Sequence, residues 1–205
     1  MRVIILGAAG QLGREVVSAL LARRHNVCAA VRRAPDPPFD SAVEVRLADA
    51  RNKEQIRSAL CGFDAVVNVI GGGTLRRNDV ASSASAIDVP AAQAVGVRRY
   101  VAMSAGMVAF DWPLFKYVLR PLIFRHILGE HRRVEEIVRA STLDWTIVRP
   151  SALTNQPARG YEASLDLQPR SFMTTRGDVA AFIADELERN QYVRQAVFIT
   201  SRRAQ

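Results

Sequence analysis

The sequence predicts an α/β fold, a doubly wound parallel sheet with helices on both faces, built as a single domain. Three observations carry this. Short apolar runs alternate with helical stretches along the whole chain. Parallel strands need such crossovers. The first run, VIIL, leads directly into the glycine-rich stretch LGAAGQLG at residues 6–13. No apolar run approaches the roughly 18 residues of a membrane span.

The elements follow in order. Val3–Leu6 is a short, fully apolar strand. Leu12–Arg24 has helical spacing, with Leu12, Val16, Leu20 and Leu21 on one side. Val27–Val31 is a second strand, and Pro35, Pro37 and Pro38 force a surface loop after it. Val43–Leu47 alternates apolar and charged residues as a third strand. Asn52–Leu60 reads as a helix, and Ala65–Ile70 as a fourth strand stopped by Gly71-Gly72-Gly73. Ala81–Val95 is a helix that Pro90 should kink. Tyr100–Met103 is a fifth strand, followed by a long helical region and a sixth strand at Thr146–Val148. Asp178–Glu188 is a helix and Ala196–Ile199 the last strand.

Composition narrows the class. The 205 residues, 49% hydrophobic and 23% charged, suit one domain with a large core. The chain starts directly on a strand pattern, so a secretory leader and stable membrane insertion are not expected and the cytoplasm is the expected compartment. The net charge of +8 is almost wholly arginine, since Lys53 and Lys116 are the only lysines. The arginines are scattered as pairs, without the aromatic-interleaved stripe of a nucleic-acid surface, so no nucleic-acid partner is expected. Cys28 and Cys61 lie in no CxxC and are expected to be buried free thiols. His25, His126 and His131 lack metal-site spacing, and no metal is expected.

In an open parallel sheet, ligands bind beyond the carboxyl ends of the strands. The glycine triplet lies at such an end. Gly7 permits the tight turn, Gly10 lets the backbone approach a pyrophosphate, and Gly13 lets the helix pack on the sheet. Ala9, Gln11 and Leu12 complete a helix N-terminus whose free N–H groups and partial positive charge attract phosphate. At the end of strand two, an acid would bind the ribose 2′-OH of NAD. This chain has Arg32 and Arg33 there, and paired guanidiniums grip a 2′-phosphate and stack on adenine. NADP(H) is therefore the expected cofactor. Asp49, with Ala50 beside it, can accept from the adenine amino group or else cap the following helix. Val69, Ile70 and Gly71 should wall the adenosine and ribose. Met103 and Ser104 should lie beside the nicotinamide, as should Pro150, Ser151, Ala152 and Leu153. Ser104 can bond the nicotinamide or a substrate carbonyl, or act as a cap. Arg149 reads as a structural ion-pair residue, and Asp178 as a helix cap or anchor.

The stretches LGAAGQLG, VRR, LAD, VVNVIGGG, RRYVAMSAG, HRRVEEIVRASTLDWTIVRPSALTN and TTRGDVAAFI, in that order, resemble an atypical short-chain dehydrogenase. The similarity is to NmrA-like NAD(P)-binding proteins and to the biliverdin-IXβ/flavin-reductase type, over nearly the whole chain. It implies a Rossmann domain, NADP(H) and a small C-terminal substrate region, with 105–128 and 151–175 forming a pocket or lid. Catalytic members use Tyr-x-x-x-Lys on the helix after strand five. Here the position of the lysine falls on His131, and four residues earlier stands Ile127. Tyr117 has the wrong spacing. The standard acid is missing.

Chemistry without that tyrosine remains possible on a conjugated acceptor, because charge spreads into the ring and solvent supplies the proton. The reductases of the resemblance work so and carry a histidine in this region. His131 would hold the ribose or carboxamide, or deliver a proton, with Ser104 as the other candidate catalytic residue. Otherwise His131 pairs with Glu135 one turn on. The apolar stretch at 111–128 reads as a lid, a membrane-surface segment, a subunit interface or ordinary core. The expected function is an NADPH-dependent reductase of a flavin, quinone-like or tetrapyrrole-like small molecule, as a monomer or homodimer. One alternative is a non-catalytic NADP(H) sensor. The other is an isomerase, epimerase or biosynthetic tailoring enzyme.

Overall fold

The computed structural model describes residues 1–71, 79–109, 125–166 and 173–202. In chain order the strands and helices are β1 (Arg2–Leu6), α1 (Gln11–Ala22), β2 (Asn26–Val31), β3 (Glu44–Leu47), α2 (Lys53–Leu60), β4 (Ala65–Asn68), α3 (Val80–Ala94), β5 (Arg99–Met103), a 3₁₀ turn (Gly106–Ala109), α4 (Arg125–Arg139), β6 (Asp144–Pro150), β7 (Ala152–Thr154), β8 (Tyr161–Ser164), β9 (Met173–Thr175), α5 (Arg176–Arg189) and β10 (Gln195–Ser201). The main sheet runs β3-β2-β1-β4-β5-β6-β10-β8. All its pairs are parallel except the last, where β8 runs against β10. β7 and β9 form a separate small parallel ribbon.

The sheet divides two apolar layers. On β1, Val3 and Ile5 join the side chains of α1 and α5, whereas Ile4 and Leu6 join those of α2, α3 and α4. This is why β1 reads as unbroken apolar sequence: period-two alternation sends side chains to opposite faces, and both faces are covered. Full burial of each such side chain contributes about 1.5–3 kcal/mol. The strand order reverses between β1 and β4, and the crevice of a doubly wound sheet opens there.

The predicted core elements are present, with boundary corrections. β4 stops at Asn68 rather than Ile70, because the Asn68 side-chain oxygen accepts the Ile70 amide at 2.9 Å and takes it from the ladder. Val43 donates its amide to the Asp40 carbonyl in a turn, so β3 starts one residue later than expected. α1 ends at Ala22, and Arg24 adopts a left-handed φ of 61°. α3 continues through Pro90. β6 is longer than Thr146–Val148, because its flanks pair with Arg99 on β5 and Ile199 on β10. Cys28 is buried, but Cys61 is exposed where α2 ends. Expectations for Gly72, Gly73, Tyr117 and most of the apolar 111–128 stretch lie outside the described residues.

β7, β8 and β9 were not anticipated. They are three or four residues long, too short for a hydrophobic period to mark them. Asp178 anchors this region. Its carboxylate accepts the Arg159 and Gly160 amides at 3.0 and 2.8 Å, and the Ser201 hydroxyl. Its own amide donates to Thr175 Oγ1 at 3.0 Å, which caps α5.

Candidate nucleotide-binding and active site

The loop between β1 and α1 is shaped by backbone contact. Gly7 has a φ of +84°, and a Cβ there would lie 3.0 Å from the Ile70 nitrogen. A Cβ on Gly13 would lie 2.3 Å from the Gly7 carbonyl oxygen and 2.7 Å from Ala8. Gly10 caps α1 without any side-chain hydrogen bond. The first-turn amides of α1 therefore have no intrahelical acceptor and no side-chain cap. Ala9, Gly10 and Gln11 are exposed, whereas Leu12 and Gly13 are buried against the sheet. This cradle, too tight for side chains and edged by unclaimed amides, fits a diphosphate.

The rest of the crevice extends along the strand ends. Arg32 and Arg33, directly after β2, are exposed and have no partner among the described residues. The loop beyond them is tied to α1: Arg14 Nη2 donates to the Pro37 carbonyl at 2.5 Å, and its guanidinium lies 4.9 Å from the Phe39 ring centroid. Asp49 and Ala50 are half-buried beyond β3. The capping role open to Asp49 belongs instead to Asn52, which accepts the Gln55 amide at 3.0 Å. Asp49 Oδ1 accepts the Arg51 amide at 2.9 Å in a local turn. Val69 and Ile70 are half-buried and Gly71 is exposed, opposite Gly7.

At the other end, the carboxyl ends of β5 and β6 come together. Met103 pairs with Val148, and the Ser104 amide donates to the Val148 carbonyl at 2.8 Å. Pro150 is buried, and a Cβ on Gly106 would lie 3.1 Å from its carbonyl oxygen. Ser151 and Leu153 are half-buried and Ala152 is exposed, with Ala152 and Leu153 in the β7–β9 ribbon.

Ser104 is not a free hydroxyl. It is 4% exposed, and its Oγ donates to Glu135 Oε1 at 2.7 Å. The hydroxyl hydrogen is directed at this carboxylate, and among the described residues Ser104 makes no capping bond to a helix terminus. The same Glu135 accepts Arg149 Nε and Nη2 at 2.8 and 2.6 Å. Burial acts to raise the Glu135 carboxyl, but its bonds from Arg149 and Ser104 hold it below the usual carboxylate value. Arg149 thus takes the ion-pair role expected of it. The alternative pairing of His131 with Glu135 is replaced by these stronger donors.

His131 is half-buried on α4, and its Nδ1 has no partner among the described residues. Burial lowers its pKa, opposed by the nearby charges of Glu130 and Glu135. Burial therefore favours its neutral form. Glu130 and Glu135 were missed from sequence as organising residues. Their signal was an acid among the apolar positions of GEHRRVEEIV. Glu130 is buried and accepts the Ser82 amide and hydroxyl at 2.8 and 2.7 Å, joining α4 to the first turn of α3.

A surface groove of about 680 Å³ lies between β3 and α2, lined by Arg46, Leu47, Glu54, Gln55, Ser58 and Ala59. None of the candidate residues borders it. Among the described residues, no His, Cys, Asp and Glu cluster has metal-binding geometry, and no helix is long and apolar enough to cross a membrane.

The glycine cradle at the switch point of a doubly wound sheet defines a dinucleotide-binding α/β protein. The chain belongs to the NAD(P)H-binding family, whose model matches residues 7–190. It is 30% identical to the uncharacterized sugar epimerase YhfK of Bacillus subtilis, over 98% of this chain and 94% of that protein. Among solved structures, it resembles a wide-type short-chain dehydrogenase/reductase from Veillonella parvula in complex with NADP, with TM-score 0.79, 22% identity and coverage of 98% and 94%. It also resembles a candidate NADH-flavin reductase from Streptococcus pneumoniae, with TM-score 0.82, 19% identity and coverage of 98% and 100%.

Proposed function

We propose that this protein is an NADPH-dependent reductase of a conjugated or hydrophobic small molecule, of the flavin, quinone-like or tetrapyrrole-like class. The observation that carries the reading is on α4. The place of the family's tyrosine acid holds Ile127, and the place of its lysine holds a half-buried His131 whose pKa is lowered by burial. Without a strong acid, the acceptor must tolerate charge until water protonates it. A conjugated ring does so, and an isolated ketone does not.

The residues divide the work accordingly. The amides of Gln11, Leu12 and Gly13 hold the diphosphate on the positive end of α1. Arg32 and Arg33 hold the 2′-phosphate and select NADP(H) over NAD(H). Val69, Ile70 and Gly71 wall the ribose, while Met103 and the segment Pro150–Leu153 border the nicotinamide. A bound reduced nicotinamide supplies a hydride. Neutral His131 offers a hydrogen bond to the ribose, carboxamide or acceptor rather than a cationic proton source. Ser104, held by Glu135, orients the β5 end. The segments 105–128 and 151–175 contribute the substrate pocket.

The engagement of Ser104 by Glu135 favours one second reading, an NADP(H) sensor that performs no chemistry. The sugar-epimerase description of YhfK supports a third, but epimerisation also calls for a proton-transfer pair that α4 lacks. Two assays separate them: NADPH consumption followed spectroscopically against flavins, quinones and tetrapyrroles, and direct detection of a sugar epimer from nucleotide sugars, because epimerisation consumes no net nucleotide. Turnover with a conjugated acceptor is expected. Tight NADPH binding with no turnover on any acceptor would overturn the reductase reading in favour of the sensor.

A further inference from the structure

A set of polar side chains lies beneath the crevice wall, among the apolar side chains of the α2–α3–α4 layer. Asp88, on α3, is fully buried. Its carboxylate accepts the Tyr100 hydroxyl at 2.6 Å and Asn68 Nδ2 at 2.7 Å. Asn68 Nδ2 also lies 3.1 Å from the Tyr100 oxygen. With its nitrogen fixed on these two acceptors, the Asn68 amide has one orientation, and its Oδ1 takes the Ile70 amide at 2.9 Å. That same Ile70 nitrogen is the atom a Cβ on Gly7 would approach most closely. A continuous series of contacts therefore runs from a buried acid to the glycine loop.

Buried polar side chains cost free energy unless fully paired, and apolar replacements are often as stable. What the network adds is direction: it fixes one backbone amide on the wall of the crevice. We infer that Asp88 is a positioning residue for nucleotide binding, whose carboxylate, through Asn68, holds Val69–Gly71 against the glycine loop and releases it on taking up a proton. This rests on the crevice being the nucleotide site.

The two protonation states differ in hydrogen-bond direction. The carboxylate is acceptor-only and matches both donors. Neutral Asp88 donates from Oδ1, because Oδ2 faces the Asn68 donor, so the Tyr100 hydroxyl has to accept and turn its own hydrogen toward Ser85, a further hydrogen-bond partner. Asn68 then bonds an uncharged acceptor, which holds it less firmly. Burial pushes the Asp88 carboxyl up to about 7, with the Tyr100 bond opposing. The surrounding elements supply few other charges. β5 presents Tyr100 and β4 presents Asn68. On α2, Lys53, Glu54 and Arg57 are exposed while Ile56, Ala59 and Leu60 face the layer. On α4, Glu130 is committed to Ser82, Glu135 to Arg149 and Ser104, and His131 is half-buried. Asp88 is the only charged residue within α3.

The test uses NADH, which has no 2′-phosphate to titrate, with calorimetric affinity measured from about pH 5.5 to about pH 9. Wild-type affinity is expected to fall about fivefold on the acid side, through an inflection near neutrality. Asp88→Asn mimics the protonated acid and should bind at the weakened level at every pH. Tyr100→Phe removes a bond to the carboxylate and should move the inflection upward, which also keeps the test alive if Asp88→Asn does not fold. Hydrogen exchange at the Ile70 amide in the nucleotide-free protein should follow the same titration. Equal pH slopes in wild type and Asp88→Asn, or Ile70 protection indifferent to pH, overturn the inference. Absence of nucleotide binding at any pH overturns the nucleotide reading with it, and is recognised because Ile70 exchange still titrates.

Discussion

Glu135 on α4 holds Arg149 at the end of β6 through a bidentate pair, with Nε at 2.8 Å and Nη2 at 2.6 Å. The Glu135 side chain is 6% exposed and that of Arg149 is 14%. Removing one partner strands the other charge. Glu135→Ala should cost about 3–5 kcal/mol in urea unfolding. The sign of the pH effect follows from the depressed carboxyl. Glu135 stabilises the fold above its ordinary value of 4.5, and that contribution is lost as pH falls through the lower folded value. Glu135→Gln should lack this part of the acid sensitivity; an unchanged acid-unfolding profile would refute it.

Replacing Arg32 and Arg33 together by alanine should weaken NADPH binding about 10- to 100-fold, as expected for loss of charge-assisted phosphate contacts. NADH binding should change little. Both guanidiniums are exposed and unpartnered among the described residues, so the fold should survive with an unchanged melting temperature. Equal losses for both nucleotides, measured by calorimetry, would remove the 2′-phosphate assignment.

Gly13→Ala places a methyl 2.3 Å from the Gly7 carbonyl oxygen, against backbone that cannot rotate away. The loop must shift. Stability should fall by about 1–3 kcal/mol or more, and affinity for NADPH and NADH should fall together. This contrasts with the arginine variant, so the pair of substitutions separates the diphosphate seat from the 2′-phosphate grip. Gly96→Ala, with open space around its Cβ but a φ of +79°, provides a backbone-strain control far from the nucleotide.

His131 should titrate below 6.5 in the folded protein, because burial disfavours its cation. A histidine-resolved NMR titration reads this directly. A depressed histidine costs stability as pH falls from its unfolded value toward its folded one. Below neutrality, His131→Phe should therefore lose less stability than wild type over that interval. A steep rise in turnover through protonation of His131 would contradict its role as a neutral hydrogen-bonding group.

Much of this architecture was legible from local pattern. The apolar runs of β1 and β4 announced strands covered on both faces, and the glycine spacing announced the turn that α1 requires. Arg32 and Arg33 were identifiable because their place after β2 follows from topology. Sequence placed Ser104 after β5 but could not show that Glu135, 31 residues later, would take its hydroxyl hydrogen. β7 to β9 were invisible because three- and four-residue strands carry no periodic signal.

The sequence by itself determined the order of the core strands and helices and the glycine turn that opens α1, because each is a property of residues close in the chain. Only the tertiary structure decided which buried polar groups meet. Asn68, Asp88 and Tyr100 lie on three separate elements, as do Ser104, Glu135 and Arg149. Their partnership depends on strand register and helix packing, which are set by the whole core at once.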